Sequence, residues 1–270
     1  MYNKQRFNLI QSIAYIMSVT SKLTAAKSIL TKEGPFRLFS KTFKQFVLPF
    51  LYLPTIHLAV KKAKKSGHSV RELIDFTFDA CGGYLAPMQI KSELASFMES
   101  VRDQKPQVVM EIGTARGGSL FLLAQMAPKN ALIISLDIPG GKLGGYPSWK
   151  IPLYKSFASG RQRIAIVKAD SHDERTVGKI EKILGGRKID LLFIDADHTY
   201  QGVKRDFDLY SPLVRPGGRV AFHDVATKIP ATFKSEVDIF WTELKQEYEY
   251  KEFVEDWQQG WAGIGYVVMK

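Results

Sequence analysis

From residue 108 onwards, short apolar runs alternate with longer stretches whose apolar residues recur at helical spacing. Five apolar runs, at 108–111, 131–136, 164–167, 190–194 and 219–222, have the length and composition of buried strands. Helical patterns follow at 174–184, 200–210 and 234–247. This alternation predicts an α/β fold, with a mostly parallel sheet and helices on both of its faces.

The segments on either side complete this prediction. Residues 70–104 have helical patterns, with Ser69 as a candidate N-cap, and Pro106 marks the boundary before the first strand. Two apolar runs at 250–254 and 265–269 are expected to form an antiparallel pair at one edge of the sheet.

A glycine-rich turn follows the first strand, in the sequence VVMEIGTARGGSL (108–120). Its spacing, E-x-G-x-x-x-G, differs from the dinucleotide-binding pattern and lacks the Lys-Ser/Thr of a phosphate loop. Glu111 would repel a pyrophosphate but suits a cationic group, such as the amino group of S-adenosylmethionine. The residues expected to bind this end of the ligand are Glu111, Gly113, Thr114, Gly117 and Ser119.

Nearly every predicted strand ends in an acid. Because ligands bind at the carboxyl ends of strands in open α/β sheets, these acids are expected to converge on one rim. Asp137 is placed to accept hydrogen bonds from ribose hydroxyls, and Asp170 with Ser171 to read an adenine amino group. The five converging acids are Glu111, Asp137, Asp170, Asp195 and Asp224.

Asp195, His223 and Asp224 lie on adjacent predicted strand ends and form a candidate metal site. Asp195 is also expected to be among the cofactor-binding residues. Oxygen-rich ligands with one imidazole suit Mg²⁺ or Mn²⁺. Such an ion can bind two vicinal hydroxyls and lower the pKa of one of them. His198 and Asp197 are the candidate general bases, and His198 is preferred because histidine titrates near neutral pH. His172 has no comparable neighbours in the sequence and is expected to be structural or exposed.

The segment 137–154 is rich in glycine, proline and aromatic residues and has no regular pattern. Long irregular loops inside compact domains are usually functional. We interpret this one as a lid or substrate loop, with a plain surface excursion as the alternative.

The net charge of +11 resides in residues 1–68, which hold twelve basic residues and one acid, whereas the remainder is neutral. We therefore divide the chain into a basic amphipathic segment, 1–68, and a catalytic domain, 69–270, that shows no nucleic-acid bias. The segment is expected to contact an anionic membrane surface peripherally, or to act as a helical cap or homo-oligomer contact. Its most apolar run, 46–60, is shorter than a membrane span and contains two prolines. One cysteine, Cys81, excludes a disulfide framework and fits a cytoplasmic protein.

Several of these motifs occur together in one known family. The motifs are EIGTARGGSL (111–120), SLDIPGG (135–141), KADSH (168–172), LLFIDADHTYQGVKRDFDLYSPLVRPGGRVAFHDV (191–225) and GIGYVVM (263–269). The chain from about residue 82 onwards resembles class I S-adenosylmethionine-dependent methyltransferases. It is most similar to the branch of macrolide-sugar O-methyltransferases and cephalosporin-hydroxylase-like proteins.

The resemblance implies a Rossmann-like methyltransferase fold with an antiparallel last strand. It also implies that Glu111 and Gly113 contact the methionine end of the cofactor, Asp137 the ribose, and Asp170 with Ser171 the adenine. Metal-dependent relatives have an acid matching Asp195 and an acidic pair matching positions 223 and 224. Here the first of that pair is histidine, which puts the identity and use of a metal in question. The base in relatives matches either Asp197 or His198.

The prediction is therefore an S-adenosylmethionine-dependent O-methyltransferase, assisted by Mg²⁺ or Mn²⁺, acting on a hydroxyl of a sugar or glycosylated small molecule. Two alternatives remain open. One is a cephalosporin-hydroxylase-like metal enzyme, although an iron facial triad needs two histidines and one carboxylate. The other is a non-catalytic, membrane-associated scaffold that keeps the cofactor-binding fold.

Overall fold

The structure is a computed structural model that describes residues 48–65, 67–80, 82–140, 145–226 and 235–270. The chain divides into two compact units, Met1–Thr55 and Ile56–Lys270. From the basic segment 1–68, the structure describes mainly one helix, α1 (Leu48–Ala63), which contains Pro54. Residues 1–47 and Cys81 lie outside the described part. No described helix is long and apolar enough to cross a membrane. The domain boundary at 68/69 stays a prediction.

Seven further helices are described. The second begins with a capping box, in which the Ser69 hydroxyl accepts from the backbone N–H of Glu72 at 3.2 Å and Glu72 Oε2 accepts from the backbone N–H of Ser69 at 2.6 Å. The N-cap expected at Ser69 is therefore confirmed. The helices are α2 (Val70–Asp79), α3 (Lys91–Gln104), α4 (Gly118–Met126), α5 (Ile151–Lys155), α6 (Glu174–Leu184), α7 (Tyr200–Tyr210) and α8 (Val237–Glu247).

The strands form one mixed sheet in the order β3-β2-β1-β4-β5-β7-β6. The first five strands are parallel, and β7 lies between β5 and β6, antiparallel to both. The predicted fold class is confirmed. The strands are β1 (Val108–Ile112), β2 (Leu132–Asp137), β3 (Arg163–Lys168), β4 (Ile189–Ile194), β5 (Val214–His223), β6 (Tyr250–Phe253) and β7 (Ile264–Val268).

The central strands of the sheet have a nearly continuous apolar sequence because both of their faces are buried. Every residue of β1 and β2 is buried, because helices cover both faces of the sheet. Polar residues appear only near the carboxyl ends, at Glu111, Ser135 and Asp137. The core thus encloses the sheet and leaves its carboxyl edge to carry the polar groups.

Most predicted strand bounds differ from the structure by no more than one residue, and three differences are larger. β5 begins at Val214, five residues before the predicted start, because the chain pairs with β4 through an irregular register near Ile189. The last helix begins at Val237, and residues 227–234 lie outside the described part. The supposedly irregular segment 137–154 contains a 3-10 turn, Ser148–Lys150, and the start of α5.

A buried carboxylate, that of Glu93 in α3, fastens the connection between β6 and β7. Its Oε1 accepts hydrogen bonds from the backbone N–H of Glu255 at 2.9 Å and from Gln259 Nε2 at 2.7 Å. Its Oε2 accepts from the backbone N–H of Gly263 at 2.9 Å. This loop joins the strand that pairs with β5, so Glu93 helps to fix the rim next to His223.

Replacing Glu93 with alanine is expected to lower the free energy of unfolding by about 3 kcal/mol. The change leaves three donors without an acceptor, and hydrogen bonds to charged groups contribute more than neutral ones. Urea-induced unfolding followed by circular dichroism measures the loss. Glu99→Ala, on the exposed face of the same helix, is the matched control, with an expected change within about 0.5 kcal/mol. Equal losses in both variants would contradict this role for Glu93.

Candidate active site

The five parallel strands end at one edge of the sheet, as expected. Ile112 in β1 is level with Leu136 in β2 and Ile194 in β4, and Ile194 is level with Phe222 in β5. The acids expected to converge all lie at, or within two residues of, these strand ends: Glu111, Asp137, Asp170, Asp195 and Asp224. The edge forms a single acidic rim.

The turn after β1 lies directly against the end of β4. Gly113 has φ +92°, and a Cβ added there would lie 1.9 Å from the carbonyl oxygen of Asp195. The Gly113 N–H donates to the carbonyl oxygen of Leu136 at 2.9 Å, and the Asp195 N–H donates to that of Ile112 at 2.9 Å. Only glycine combines this backbone conformation with this close approach.

The segment expected to form a lid instead supports this turn in its described part. Tyr146 and Tyr154 are buried, with ring centroids 5.0 Å apart. The Tyr154 hydroxyl donates to the carbonyl oxygen of Ala115 at 2.7 Å, and its ring lies 2.5 Å from where a Cβ of Gly117 would be. Tyr154 therefore packs against the turn, and Tyr146 packs against Tyr154. Residues 141–144 lie outside the described part.

Glu111 is fully buried beside the turn. Its Oε2 accepts a hydrogen bond from the Thr114 hydroxyl at 2.7 Å, and its Oε1 has no hydrogen-bond partner among the described residues. Burial raises the pKa of Glu111 to about 8, although the hydroxyls of Ser119 and Thr114 counteract part of the rise. At neutral pH the carboxyl is therefore mainly protonated, and one oxygen is available to a ligand.

The two acids expected to hold the nucleoside differ in exposure. Asp137 is buried and accepts from the backbone N–H groups of Ala115 and Ile138, both at 2.7 Å. Burial raises the pKa of Asp137, and these backbone hydrogen bonds lower it in part. A carboxylate has about four acceptor sites, so it can still receive two hydroxyls. Asp170 is exposed and accepts from the backbone N–H of His172 at 2.9 Å, beside Ser171.

His223 lies between the carboxylates of Asp195 and Asp224. Its Nδ1 is 3.2 Å from Asp195 Oδ1 and 3.3 Å from Asp224 Oδ1. Burial alone would lower the pKa of His223, but the charges of Asp195 and Asp224 raise it to about 9. Neither ring nitrogen has a hydrogen bond of good geometry to a described residue. The three side chains expected to bind a metal are therefore brought together, around an imidazole that favours its charged form.

These three groups have the donor chemistry for Mg²⁺ or Mn²⁺. However, no group of three or more His, Cys, Asp or Glu side chains among the described residues has the geometry of a formed metal site. His223 would have to lose its proton before it could act as a ligand.

The two candidate bases have different surroundings. His198 Nδ1 lies 2.9 Å from Asp224 Oδ2; burial lowers the pKa of His198, but this hydrogen bond and the charge of Asp195 raise it overall. Asp197 Oδ1 accepts from the N–H of Thr199 at 2.9 Å and from its hydroxyl at 2.8 Å. Asp197 thus organises the start of α7, whereas His198 is coupled to the rim.

Sequence reasoning missed two contacts at this rim. Gln89 is buried before α3, and its Nε2 donates to Asp195 Oδ2 at 3.0 Å; no motif marks it. The expectation for His172 was incomplete, because its Nε2 lies 3.4 Å from Oδ1 of the fully buried Asp206. The signal for this pair was an acid on the apolar face of α7, between Val203 and Phe207.

Residues 110–225 match the model of a protein family described as a methyltransferase domain. The matched region runs from β1 to just beyond β5 and covers less than half of the chain. This match and the sheet topology confirm the resemblance to class I S-adenosylmethionine-dependent methyltransferases. The narrower branch, with its cephalosporin-hydroxylase-like members, stays a prediction.

Relatives of the chain include an uncharacterized protein of Acanthamoeba polyphaga mimivirus, 37% identical over 115 residues. That match covers 43% of this chain and 50% of the relative, so the chain spans about half the length of the curated protein it matches. Among solved structures, an O-methyltransferase from Bacillus cereus in complex with SAH has a TM-score of 0.53 and 19% identity, over 76% of this chain and 92% of that one. This likeness shows the shared fold.

Replacing Gly113 with alanine is expected to lower the free energy of unfolding of the protein by more than about 2 kcal/mol. The added methyl would meet a backbone carbonyl and would force an unfavourable φ. Gly178→Ala is the matched control, since a Cβ there meets nothing within 4 Å and the residue lies inside α6. Alanine should stabilise that helix by about 0.5–1 kcal/mol. Thermal and urea unfolding compare the two variants, and an equal or reversed order would contradict the proposed contact.

Proposed function

We propose that the methyltransferase domain transfers a methyl group from S-adenosylmethionine to a hydroxyl of a sugar or glycosylated small molecule. The observation that carries the proposal is the histidine–carboxylate pair, His198 and Asp224, on the same rim as the acids suited to the methyl donor. A base beside a methyl donor is what O-methylation requires. The sugar acceptor rests on the motif resemblance alone.

The methyl donor would lie across the rim from β1 to β3. Its ammonium group suits the available oxygen of Glu111, its ribose hydroxyls suit Asp137, and its adenine suits Asp170 with Ser171. The glycine turn, with Gly113 and Gly117, lets the backbone approach the donor closely. Thr114 and Ser119 would hold Glu111 in place from the turn and the first turn of α4.

His198 would remove the proton of the acceptor hydroxyl. The acceptor oxygen then forms a bond to the methyl carbon as the carbon–sulfur bond breaks, leaving a neutral thioether, while the proton stays on His198. Asp224 orients the imidazole and stabilises its positive charge. Alignment of the acceptor oxygen with the methyl group supplies much of the rate. Asp197 is the alternative base, although its contacts with Thr199 favour a structural role.

Metal assistance is part of this proposal. Asp195, His223 and Asp224 would hold Mg²⁺ or Mn²⁺, and Gln89 would keep Asp195 in position. When bound, the ion would supply a lower pKa for the acceptor hydroxyl and a template for two neighbouring oxygens. Without it, the imidazolium of His223 balances the two carboxylates. The other expectations, a peripheral membrane or homo-oligomer contact through residues 1–68, no nucleic-acid partner and a cytoplasmic location, stay predictions.

Binding of S-adenosylhomocysteine at pH 7 is expected to release a proton. Glu111 is mainly neutral in the free protein because its pKa is about 8, and an ammonium group beside it would favour ionisation. Titration calorimetry in two buffers of different ionisation enthalpy measures the release, which should approach one proton per chain. Glu111→Gln is the control and should bind more weakly without release. No binding by the wild-type protein would remove the main support for a methyltransferase and favour the scaffold alternative.

Transfer of a labelled methyl group to a panel of methyl glycosides tests the reaction itself, with added Mg²⁺ or with a chelator. Asp195→Ala should abolish turnover and leave the affinity for S-adenosylhomocysteine largely intact. His198→Ala should lower the rate by about 100-fold or more, and Asp197→Ala by much less. Asp208→Asn, on the exposed face of α7, is the control and should not change the rate. Turnover that survives both Asp195→Ala and the chelator would refute metal assistance, and oxygen uptake in place of methyl transfer would favour the hydroxylase alternative.

A further inference from the structure

Asp206 is a fully buried carboxylate that the proposed chemistry does not use. It lies on the inner face of α7, and neither of its oxygens has a hydrogen-bond partner among the described residues. A buried ionised carboxylate without compensation is costly. His172, whose Nε2 is 3.4 Å from Oδ1 of Asp206, is the cation placed to compensate it.

The surroundings of His172 favour its charged form. The contact with Asp206 raises the pKa of His172, while burial lowers it in part. The other groups acting on it, Asp170 from its own loop and Asp197 from the turn before α7, are also acidic. The contact between His172 and Asp206 therefore joins the β3–α6 loop to α7, and Asp206 is out of contact with water.

The same loop has a second attachment to α7. The Tyr210 hydroxyl, at the end of that helix, donates to the carbonyl oxygen of Ser171 at 2.8 Å. Asp170 in turn accepts from the backbone N–H of His172 at 2.9 Å. Helix α7 thus holds the loop at two points, Ser171 and His172, although Asp170 itself is exposed.

We propose that His172 is a positioning residue, whose ion pair with Asp206 fixes the loop 170–172 so that Asp170 and Ser171 can read the 6-amino group of adenine. The inference rests on the proposed function, because it assumes that this loop binds the adenine of the methyl donor. Beyond the proposed function, this inference requires that the preference for a 6-amino over a 6-oxo purine depends on His172, a side chain that need not touch the ligand.

The test compares two ligands, S-adenosylhomocysteine and its analogue in which an oxo group replaces the 6-amino group. Titration calorimetry on the full chain gives the ratio of their Kd values. The wild-type protein is expected to prefer the adenine form by about tenfold. His172→Gln should bring this ratio close to one, mainly by weakening the adenine form. A purely structural role would weaken both ligands equally and leave the ratio unchanged.

His172→Gln removes the counter-charge of the Asp206 carboxylate and could therefore unfold the protein. A double variant keeps the test usable in that case. His172→Ala with Asp206→Leu removes the ion pair and leaves no buried charge, a change that folded proteins often tolerate. Its ratio should also fall close to one. His68→Gln, an exposed histidine 4.0 Å from Glu72, is the matched control and should keep the wild-type ratio.

The outcomes separate the two proposals. If the wild-type protein prefers S-adenosylhomocysteine over its 6-oxo analogue and the double variant has the same preference, the positioning role of His172 is overturned and the proposed function stands. If the wild-type protein binds both ligands equally, reading of the 6-amino group by this loop is overturned. If it binds neither ligand, the proposed function and this inference both fail.

Discussion

The contact between Gly113 and the carbonyl oxygen of Asp195 is the constraint on which the rim depends. With no side chain at Gly113, the turn after β1 can rest on the end of β4 while its N–H reaches the end of β2. Three neighbouring strand ends are thereby held level. Glu111 is then buried behind the turn, and Asp195 emerges just beyond it, close enough to act on the pKa of Glu111. The positions of these acids therefore depend on the absence of a side chain at Gly113.

Several acids share this rim, and the structure balances each one differently. Glu111 is buried and mainly protonated near neutral pH. Asp137 is held by two backbone N–H groups. Asp195 and Asp224 share His223, and Asp224 also binds His198, which lowers the pKa of Asp224 despite its burial. Asp224 adopts φ +65°, an uncommon conformation for a residue other than glycine, in order to face both histidines. Such local strain is typical of functional sites.

The sequence predicted the elements better than the contacts between them. The spacing of apolar residues and the composition of the short apolar runs located all seven strands. Parallel pairing then placed the five acids at one edge of the sheet, because that inference needs only local pattern and topology. Several side-chain contacts between distant parts of the chain could not be predicted in this way. Gln89 meets Asp195, Glu93 holds Gly263 and His172 faces Asp206 across long separations in sequence, and no periodicity encodes such distances. The segment 137–154 was interpreted as a lid or substrate loop from its composition, but composition does not show which side chains are buried, and Tyr146 and Tyr154 are buried against the turn.

The order of the strands also bears on how the chain reaches its native state. β1 lies at the centre of the sheet, but one of its two neighbours, β4, follows about eighty residues later, with Val109 level with Leu191. Closing a loop of that length costs entropy before the pairing repays it. Until then, the backbone edge of the mostly apolar strand β1 is open to pairing with other chains. We therefore expect slow folding and a tendency to aggregate during refolding, both arising from the central position that brings the glycine turn to the middle of the rim.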